Sequence, residues 1–271
     1  MAAGLEAGDP PEEWNVRHPE KVQEIHRAYI HAGSQIFLTN SFGGTSYRLA
    51  MHGLDDRVEE LNAAAGRIAR QVADEVEREV LVAGSIGPSG QLFQPMGTLT
   101  FEEASAAFRE QASGLAEGGV DLFWIETMSD LDEVKAAVAG IREVSDLPIT
   151  ATMSFDTHGH TMMGISPARA ASELSQLDLI ALGANCGTGS DELIEAIKAM
   201  KAETPQATLI AKANAGIPQV VGDEVVYNGS PEVMAAYAQA VHQAGAQLIG
   251  GCCGNTPAHV EAMANALAVF S

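Results

Sequence analysis

The chain has 271 residues, 46% of them hydrophobic, and its 36 acidic against 15 basic residues leave a formal charge of −21. Length and composition suit one soluble globular domain, 1–271, which no Pro/Ser-rich linker interrupts. So acidic a surface repels nucleic acid and anionic membranes, which removes both as partners.

One rhythm runs through the chain: an apolar, β-branched run, a polar or Gly-rich turn, then an amphipathic Ala/Glu-rich stretch. A helix over 19–32 comes first, then the strand "SQIFLTNSF" (34–42) and a helix over 56–79. "VLVAGSIG" (80–87) leads to a helix over 102–118 that opens on Thr100, and "LFWIETM" (122–128) leads to one over 130–143. "ITATMSF" (149–155) and "LIALGANC" (179–186) precede helices over 167–176 and 190–203, the second opening on Ser190. "TLIAKANA" (208–215) precedes a helix over 231–244 that starts at Ser230-Pro231, and "QLIGGCC" (247–253) precedes one over 257–269 that starts at Thr256-Pro257. The strands are continuous apolar runs rather than alternating ones, as parallel strands covered on both faces require. The expected fold is therefore an α/β (β/α)8 TIM barrel. A closed barrel needs a strand before its first helix, and "MAAGLEAGDPPEEWNVRHP" contains no β-rich run. Either the barrel is open by one strand or the numbering starts inside a longer natural chain; truncation or a misassigned start is the expectation, since an open barrel would expose two unpaired edges.

That opening segment lacks a signal-type apolar core, and no apolar run reaches the roughly 18 residues of a membrane span, so a cytoplasmic location is expected. Three cysteines, two of them adjacent, form a poor disulfide framework and point to metal binding or reactive thiols. In a barrel the strand ends share one face, which gathers Asn40, Ser41, Ser85, Glu126, Ser154, Cys186, Asn214, Cys252 and Cys253. Taken singly, Asn40, Ser85 and Ser154 read as turn or capping residues. Asn40 and Ser41, ahead of "FGGTS", also offer backbone amides to an anion.

The cysteines differ, because Cys186 and the Cys252/Cys253 pair end two separate strands. Three thiolates with one open position make a catalytic zinc pattern, and Gly250, Gly251 and Gly254 let the backbone leave extended geometry so that neighbouring thiols converge. The competing reading is three buried cysteines acting as small hydrophobes. His158 and His160 read as solvent-facing turn residues. "IGPSG" (86–90) lacks the lysine of a phosphate loop, and no nucleotide site follows from it. Glu126, after the apolar "DLFWI", is either a salt-bridged acid or a binder of a cationic substrate group.

Six segments taken together resemble the homocysteine S-methyltransferase family, which includes betaine–homocysteine methyltransferases, S-methylmethionine-using enzymes and the homocysteine domain of cobalamin-dependent methionine synthase. They are "LTNSFGG" (38–44), "GSIGPSG" (84–90), "WIETMSD" (124–130), "GANCGTG" (183–189), "KANAGIP" (212–218) and "GGCCGNTP" (250–257). The resemblance implies Zn2+ on Cys186, Cys252 and Cys253, with Asn214 as an exchangeable fourth ligand. It implies that Glu126 holds the amino group of homocysteine; Asn40, Ser41 and Ser85 complete the expected substrate-binding set. The "DGGxGT"-like segment with which relatives begin is absent from this chain.

The activity so implied is transfer of a methyl group to the homocysteine thiol, giving methionine. The donor must carry an activated methyl: a quaternary ammonium, a sulfonium such as S-methylmethionine, or a methyl-corrinoid on a separate protein. Whole-chain similarity looks closest to compact bacterial betaine enzymes, so betaine comes first. A quaternary ammonium is held by aromatic faces. The tyrosines of the animal betaine enzymes are replaced here by Gly43 and Thr127, leaving Trp14, Phe42, Tyr47, Phe93 and Trp124 as candidates. Two other classes stand beside this reading: a non-catalytic zinc-holding barrel or partner subunit, and an unrelated barrel enzyme with Cys252 or Cys253 as covalent nucleophile. A homo-oligomer is left open.

Overall fold

The structure, a computed structural model, describes residues 4–6, 8–187, 189–221 and 224–270. Helices α1 (Trp14–Arg17) and α2 (Pro19–His31) precede β1 (Ile36–Leu38), and no strand precedes Ile36 among the described residues. There follow α3 (Ser46–Ala50), α4 (Val58–Ala73), β2 (Leu81–Ile86), α5 (Phe101–Glu117), β3 (Leu122–Met128), α6 (Leu131–Arg142) and β4 (Ile149–Met153). The remainder is α7 (Pro167–Leu174), β5 (Ala181–Cys186), α8 (Ser190–Glu203), β6 (Leu209–Ala213), β7 (Pro218–Val221), β8 (Glu224–Tyr227), α9 (Pro231–Gln243), β9 (Leu248–Gly251) and α10 (Pro257–Leu267).

The fold is mixed α/β of the (β/α)8 barrel type: seven strands form one sheet in chain order, β1-β2-β3-β4-β5-β6-β9, while β7 and β8 make a separate two-stranded sheet. The chain divides into two compact units, one of Met1–Ile30, Gln35–Glu126 and Asp132–Ile149, the other of His31–Ser34, Thr127–Leu131 and Thr150–Ser271.

In the first unit β1, β2 and β3 pair in parallel, with Phe37 opposite Val82 and Ser85 opposite Trp124. Val82, Ala83, Phe123 and Ile125 are fully shielded from water, as strands covered on both faces must be. A capping box starts α5: Thr100 Oγ1 accepts from Glu103 N at 3.2 Å, and Glu103 Oε2 accepts from Thr100 N at 3.0 Å. Helices α4 and α5 approach closely at Gly66 and Gly118, where a Cβ on either would lie 2.8 Å from the other's Cα. Helix α4 stops at Ala73 rather than at 79, because Asp74, Glu75, Glu77 and Glu79 crowd the negative end of the helix dipole. The 34–42 strand shortens to three residues because Thr39 and Ser41 turn the chain, with Ser41 N donating to Thr39 O at 3.0 Å.

In the second unit β4, β5, β6 and β9 are parallel, with Asn185 opposite Lys212, Cys186 opposite Ala213, and Ala213 opposite Gly251. Ser166 and Ser230 cap α7 and α9, each followed by proline at the first helical position. Ser190 lies inside α8 and Gly189 takes the cap position without a side-chain bond. The β7–β8 pair, antiparallel with Pro218 opposite Tyr227, was not among the expected strands. Its signal is the pair of valine-rich runs in "PQVVGDEVVY", separated by Gly-Asp.

Candidate metal centre and amino-acid pocket

The three cysteines come together in the second unit, their Sγ atoms all within 4.8 Å of one another. Among the described residues no other group of three or more His, Cys, Asp or Glu ligand atoms is so close. Four-coordinate zinc holds thiolates at about 2.3 Å, which places two sulfurs about 3.8 Å apart. The Cys186–Cys252 separation is 2.8 Å, so modest side-chain rotation seats an ion and the donor set fits zinc.

Adjacent thiols converge because strand β9 ends just before them. Cys252 N makes a last ladder bond to Ala213 O at 2.7 Å, and the chain then turns through Gly254 at φ +76°. The Asn255 side-chain amide holds the turn, donating to Ala213 O at 2.9 Å and Cys252 O at 3.3 Å. A Cβ on Gly251 would strike the Asn255 side chain, and one on Gly254 would strike the Tyr227 ring. Cys186 ends β5 at φ +59° and Gly187 follows at +82°, two left-handed residues that swing the chain out of the strand. Asn214 ties the two cysteine loops together: its Nδ2 donates to Gly187 O at 2.9 Å and its Oδ1 accepts from Cys253 N at 3.1 Å.

Asn185, fully buried beside Cys186, escaped the sequence reading. Its Oδ1 accepts from Thr127 N at 2.9 Å and Thr152 Oγ1 at 2.6 Å. Its Nδ2 donates to Thr127 Oγ1 at 2.8 Å, Cys186 Sγ at 3.3 Å and Cys252 Sγ at 3.6 Å. Tyr227, at the end of β8, was also missed; its hydroxyl hydrogen-bonds Cys253, and burial, then the Cys253 charge and that bond, push the phenol up to about 12.

Hydrogen bonding to Cys252 and Cys253, with burial, drives the Cys186 thiol far above its usual range. For Cys252 the bond with Cys186 and the Lys212 charge pull downward, but the bond with Cys253 and burial outweigh them and the thiol is raised. A dication held by the three sulfurs would favour their thiolate form. His158 and His160 lie exposed in a turn closed by the Thr157–His160 bridge.

The first unit holds the other set. A cavity of about 320 Å3 is lined by Asn40, Ser41, Ser85 and Glu126, and also by Glu12 and Arg48, which sequence reasoning missed. Buried Glu126 accepts from Ser85 Oγ at 2.6 Å. Ser41 and Asn40 act as framework: Ser41 Oγ donates to Ser85 O at 2.8 Å, and Asn40 Nδ2 donates to Pro11 O at 2.7 Å and Asn15 Oδ1 at 3.0 Å. Glu12, equally buried, accepts from Gly43 N at 2.7 Å. Of the five aromatic candidates only Phe42 lines this cavity, while Trp14 already carries the Lys21 ammonium 4.7 Å from its ring centroid. In the "IGPSG" loop, Ser89 N and Oγ both donate to buried Glu133, at 2.8 and 2.6 Å.

Comparison with known proteins supplies the family. Residues 2–267 match the model of the homocysteine S-methyltransferase family. Methionine synthase of Mycobacterium tuberculosis is 33% identical over 265 residues, 94% of this chain, and its counterpart from Mycobacterium leprae is 31% identical. The chain spans about a fifth of the length of these curated relatives, 22% of each. Among solved structures, the metallated form of the homocysteine methyltransferase MmuM from Escherichia coli superposes with a TM-score of 0.81 at 25% identity, covering 97% of this chain and 91% of that one. A methyltransferase from Methanosarcina mazei shares the fold, with a TM-score of 0.65 at 14% identity. With a family match along almost its whole length, this chain belongs to the homocysteine S-methyltransferase family.

Proposed function

We propose that this chain is a zinc-dependent S-methyltransferase that moves a methyl group from an activated donor to homocysteine, giving methionine. The observation that carries the reading is the cluster of Cys186, Cys252 and Cys253 sulfurs within 4.8 Å of one another, in a family whose model covers residues 2–267. Zinc held there lowers the pKa of a thiol that coordinates it. A free thiol titrates near ~8.5, so holding it ionised at pH 7 contributes roughly 2 kcal/mol before any gain from orientation.

The chain's own residues carry the rest. Glu126, kept in place by Ser85, takes the substrate ammonium, and Arg48, lining the same cavity, offers a guanidinium to its carboxylate. Asn40 and Ser41 shape that cavity through the bonds that hold their own loop. Asn214 steadies both cysteine loops, and its oxygen keeps one lone pair for service as an exchangeable ligand. Exposed Cys253 leaves the cluster open to solvent, from which an incoming thiol and donor arrive.

For the donor we propose an onium compound, betaine first and a sulfonium such as S-methylmethionine next. The aromatic candidates do not assemble round one cavity, and Tyr227 is the aromatic face at the cysteines. A methyl-corrinoid donor on a separate protein is the second reading, favoured by the likeness to methionine synthases of which the matched region is 22%. We further propose a cytoplasmic enzyme. Among the described residues no helix is long and apolar enough to cross a membrane. Metal analysis of the purified chain, with steady-state assays of homocysteine against each donor, tests the proposal. One zinc per chain and turnover with one donor class are expected; full turnover of metal-free protein would overturn it.

A further inference from the structure

We propose that Asn185 is a positioning residue for the metal ligands: its carboxamide clamps strained Thr127 on one side and donates N–H···S hydrogen bonds to two cysteine sulfurs on the other. The inference rests on the metal reading above and extends it to a residue outside the proposed ligand set.

The orientation of the amide follows from its neighbours. Thr127 N is a main-chain donor and lies 2.9 Å from one end of the carboxamide, so that end must be the oxygen. The opposite end is then the NH2 group, and it faces Cys186 Sγ at 3.3 Å and Cys252 Sγ at 3.6 Å. Thr152 Oγ1 at 2.6 Å and Thr127 Oγ1 at 2.8 Å complete both ends, so the fully buried group has a partner for each function.

The partners on each side sit in costly backbone. Thr127 at φ +63° and Cys186 at +59° are two of the three described non-glycine residues with positive φ. A β-branched residue there costs on the order of 1–3 kcal/mol and persists only where surrounding bonds over-determine it. Asn185 supplies such bonds to both: two to Thr127, and one to the sulfur of Cys186.

The electrostatic consequence concerns the sulfurs. Three thiolates around a dication leave a net charge of −1, and an N–H donor pointed at two of them withdraws electron density from their lone pairs. Ligands so bonded would donate less charge to the ion.

Cobalt(II) as a spectroscopic replacement for zinc gives a readout independent of turnover. In Asn185→Asp the oxygen facing Thr127 and Thr152 is kept, while the donor facing the sulfurs becomes an acceptor; Asn185→Leu removes both functions. Both variants are expected to shift the sulfur-to-cobalt charge-transfer band to longer wavelength. Thr152→Val, which leaves the N–H···S bonds in place, should leave the band where it is. An unmoved band in Asn185→Asp would overturn the positioning role while leaving the metal site standing. A native chain that takes up no cobalt and no zinc would overturn the metal reading itself, and this inference with it.

Discussion

Ser85 Oγ donates to Glu126 Oε1 at 2.6 Å, joining the ends of two neighbouring parallel strands inside one cavity. Ser85 is 1% exposed and Glu126 7%, so the pair is shielded from bulk water. Replacing the charge while keeping the shape, Glu126→Gln, should raise the KM for homocysteine by about 10- to 100-fold, the usual cost of losing one charge-assisted hydrogen bond. The kcat with the favoured donor should fall much less. An unchanged KM would remove Glu126 from the binding set.

Removal of one thiol should uncouple the cluster from its ion. Cys252→Ala is expected to lose stoichiometric zinc and at least about 100-fold in activity together, because the two remaining thiols bind too weakly to hold the site at micromolar metal. Elemental analysis beside the donor assay checks it. Retained activity without metal would return the cysteines to a packing role.

Tyr227 hydrogen-bonds Cys253, and its ring lies where a Cβ on Gly254 would be. Tyr227→Phe keeps the ring and removes the donor. Zinc transfer to a competing chelator should become several-fold faster, since one hydrogen bond to a ligand sulfur is worth about 1 kcal/mol. Gly254→Ala, which pushes the ring away, should do the same and lower stability as well. A chelation rate identical to that of the native chain would show the hydroxyl to be idle.

His26 gives a pH dependence whose sign can be worked through. Burial lowers its pKa from 6.5 to about 4; its ring packs on Phe37 with centroids 5.0 Å apart, and Nε2 has no hydrogen-bond partner among the described residues. Between pH 6.5 and 4 the unfolded chain binds a proton here that the folded chain refuses, so stability falls as pH falls through that window. The full loss is on the order of 3 kcal/mol, complete below about pH 4. Urea titrations at pH 7 and pH 5 should show the native chain losing about 2 kcal/mol more than His26→Leu. Equal losses would mean that the imidazole is protonated in the folded state.

At the α4–α5 contact, Gly118→Ala places a methyl 2.8 Å from both Gly66 Cα and Ala63 O. Neither neighbour is the flexible end of a side chain, so the helices must part. A loss of about 1–3 kcal/mol is expected, readable as a lower Tm. No loss would mean that the helix pair has more freedom than its spacing indicates.

Much of this architecture is legible in one dimension, and the particular residues show why. "LFWIETM" is read as a strand because its apolar run is continuous, and it forms β3 with the expected bounds, Leu122–Met128. Thr100 is read as a helix start because it stands directly before "FEEA", and it caps α5 there, in a capping box with Glu103. The cysteine pair between glycines is read as a turn out of a strand, and Gly254 makes that turn. Each of these signals lies within a few residues of chain, where periodicity and capping chemistry act.

Other features became visible only through pairing across the chain. Asn185 reads as one more polar residue at a strand end, yet its partners lie 33, 58 and 67 positions away, on Thr152, Thr127 and Cys252. Asn40 and Ser41 line the cavity and also make framework bonds to Asn15 and Ser85, 25 and 44 positions distant. Tyr227 meets Cys253 only because the β7–β8 hairpin returns the chain toward the end of β9. The sequence by itself determined the strand–helix alternation, the helix caps and the cysteine turn, because those depend on local spacing. The register of parallel strands decided which buried polar group meets which, because a side chain's hydrogen-bond partners are set by what lies opposite it in space.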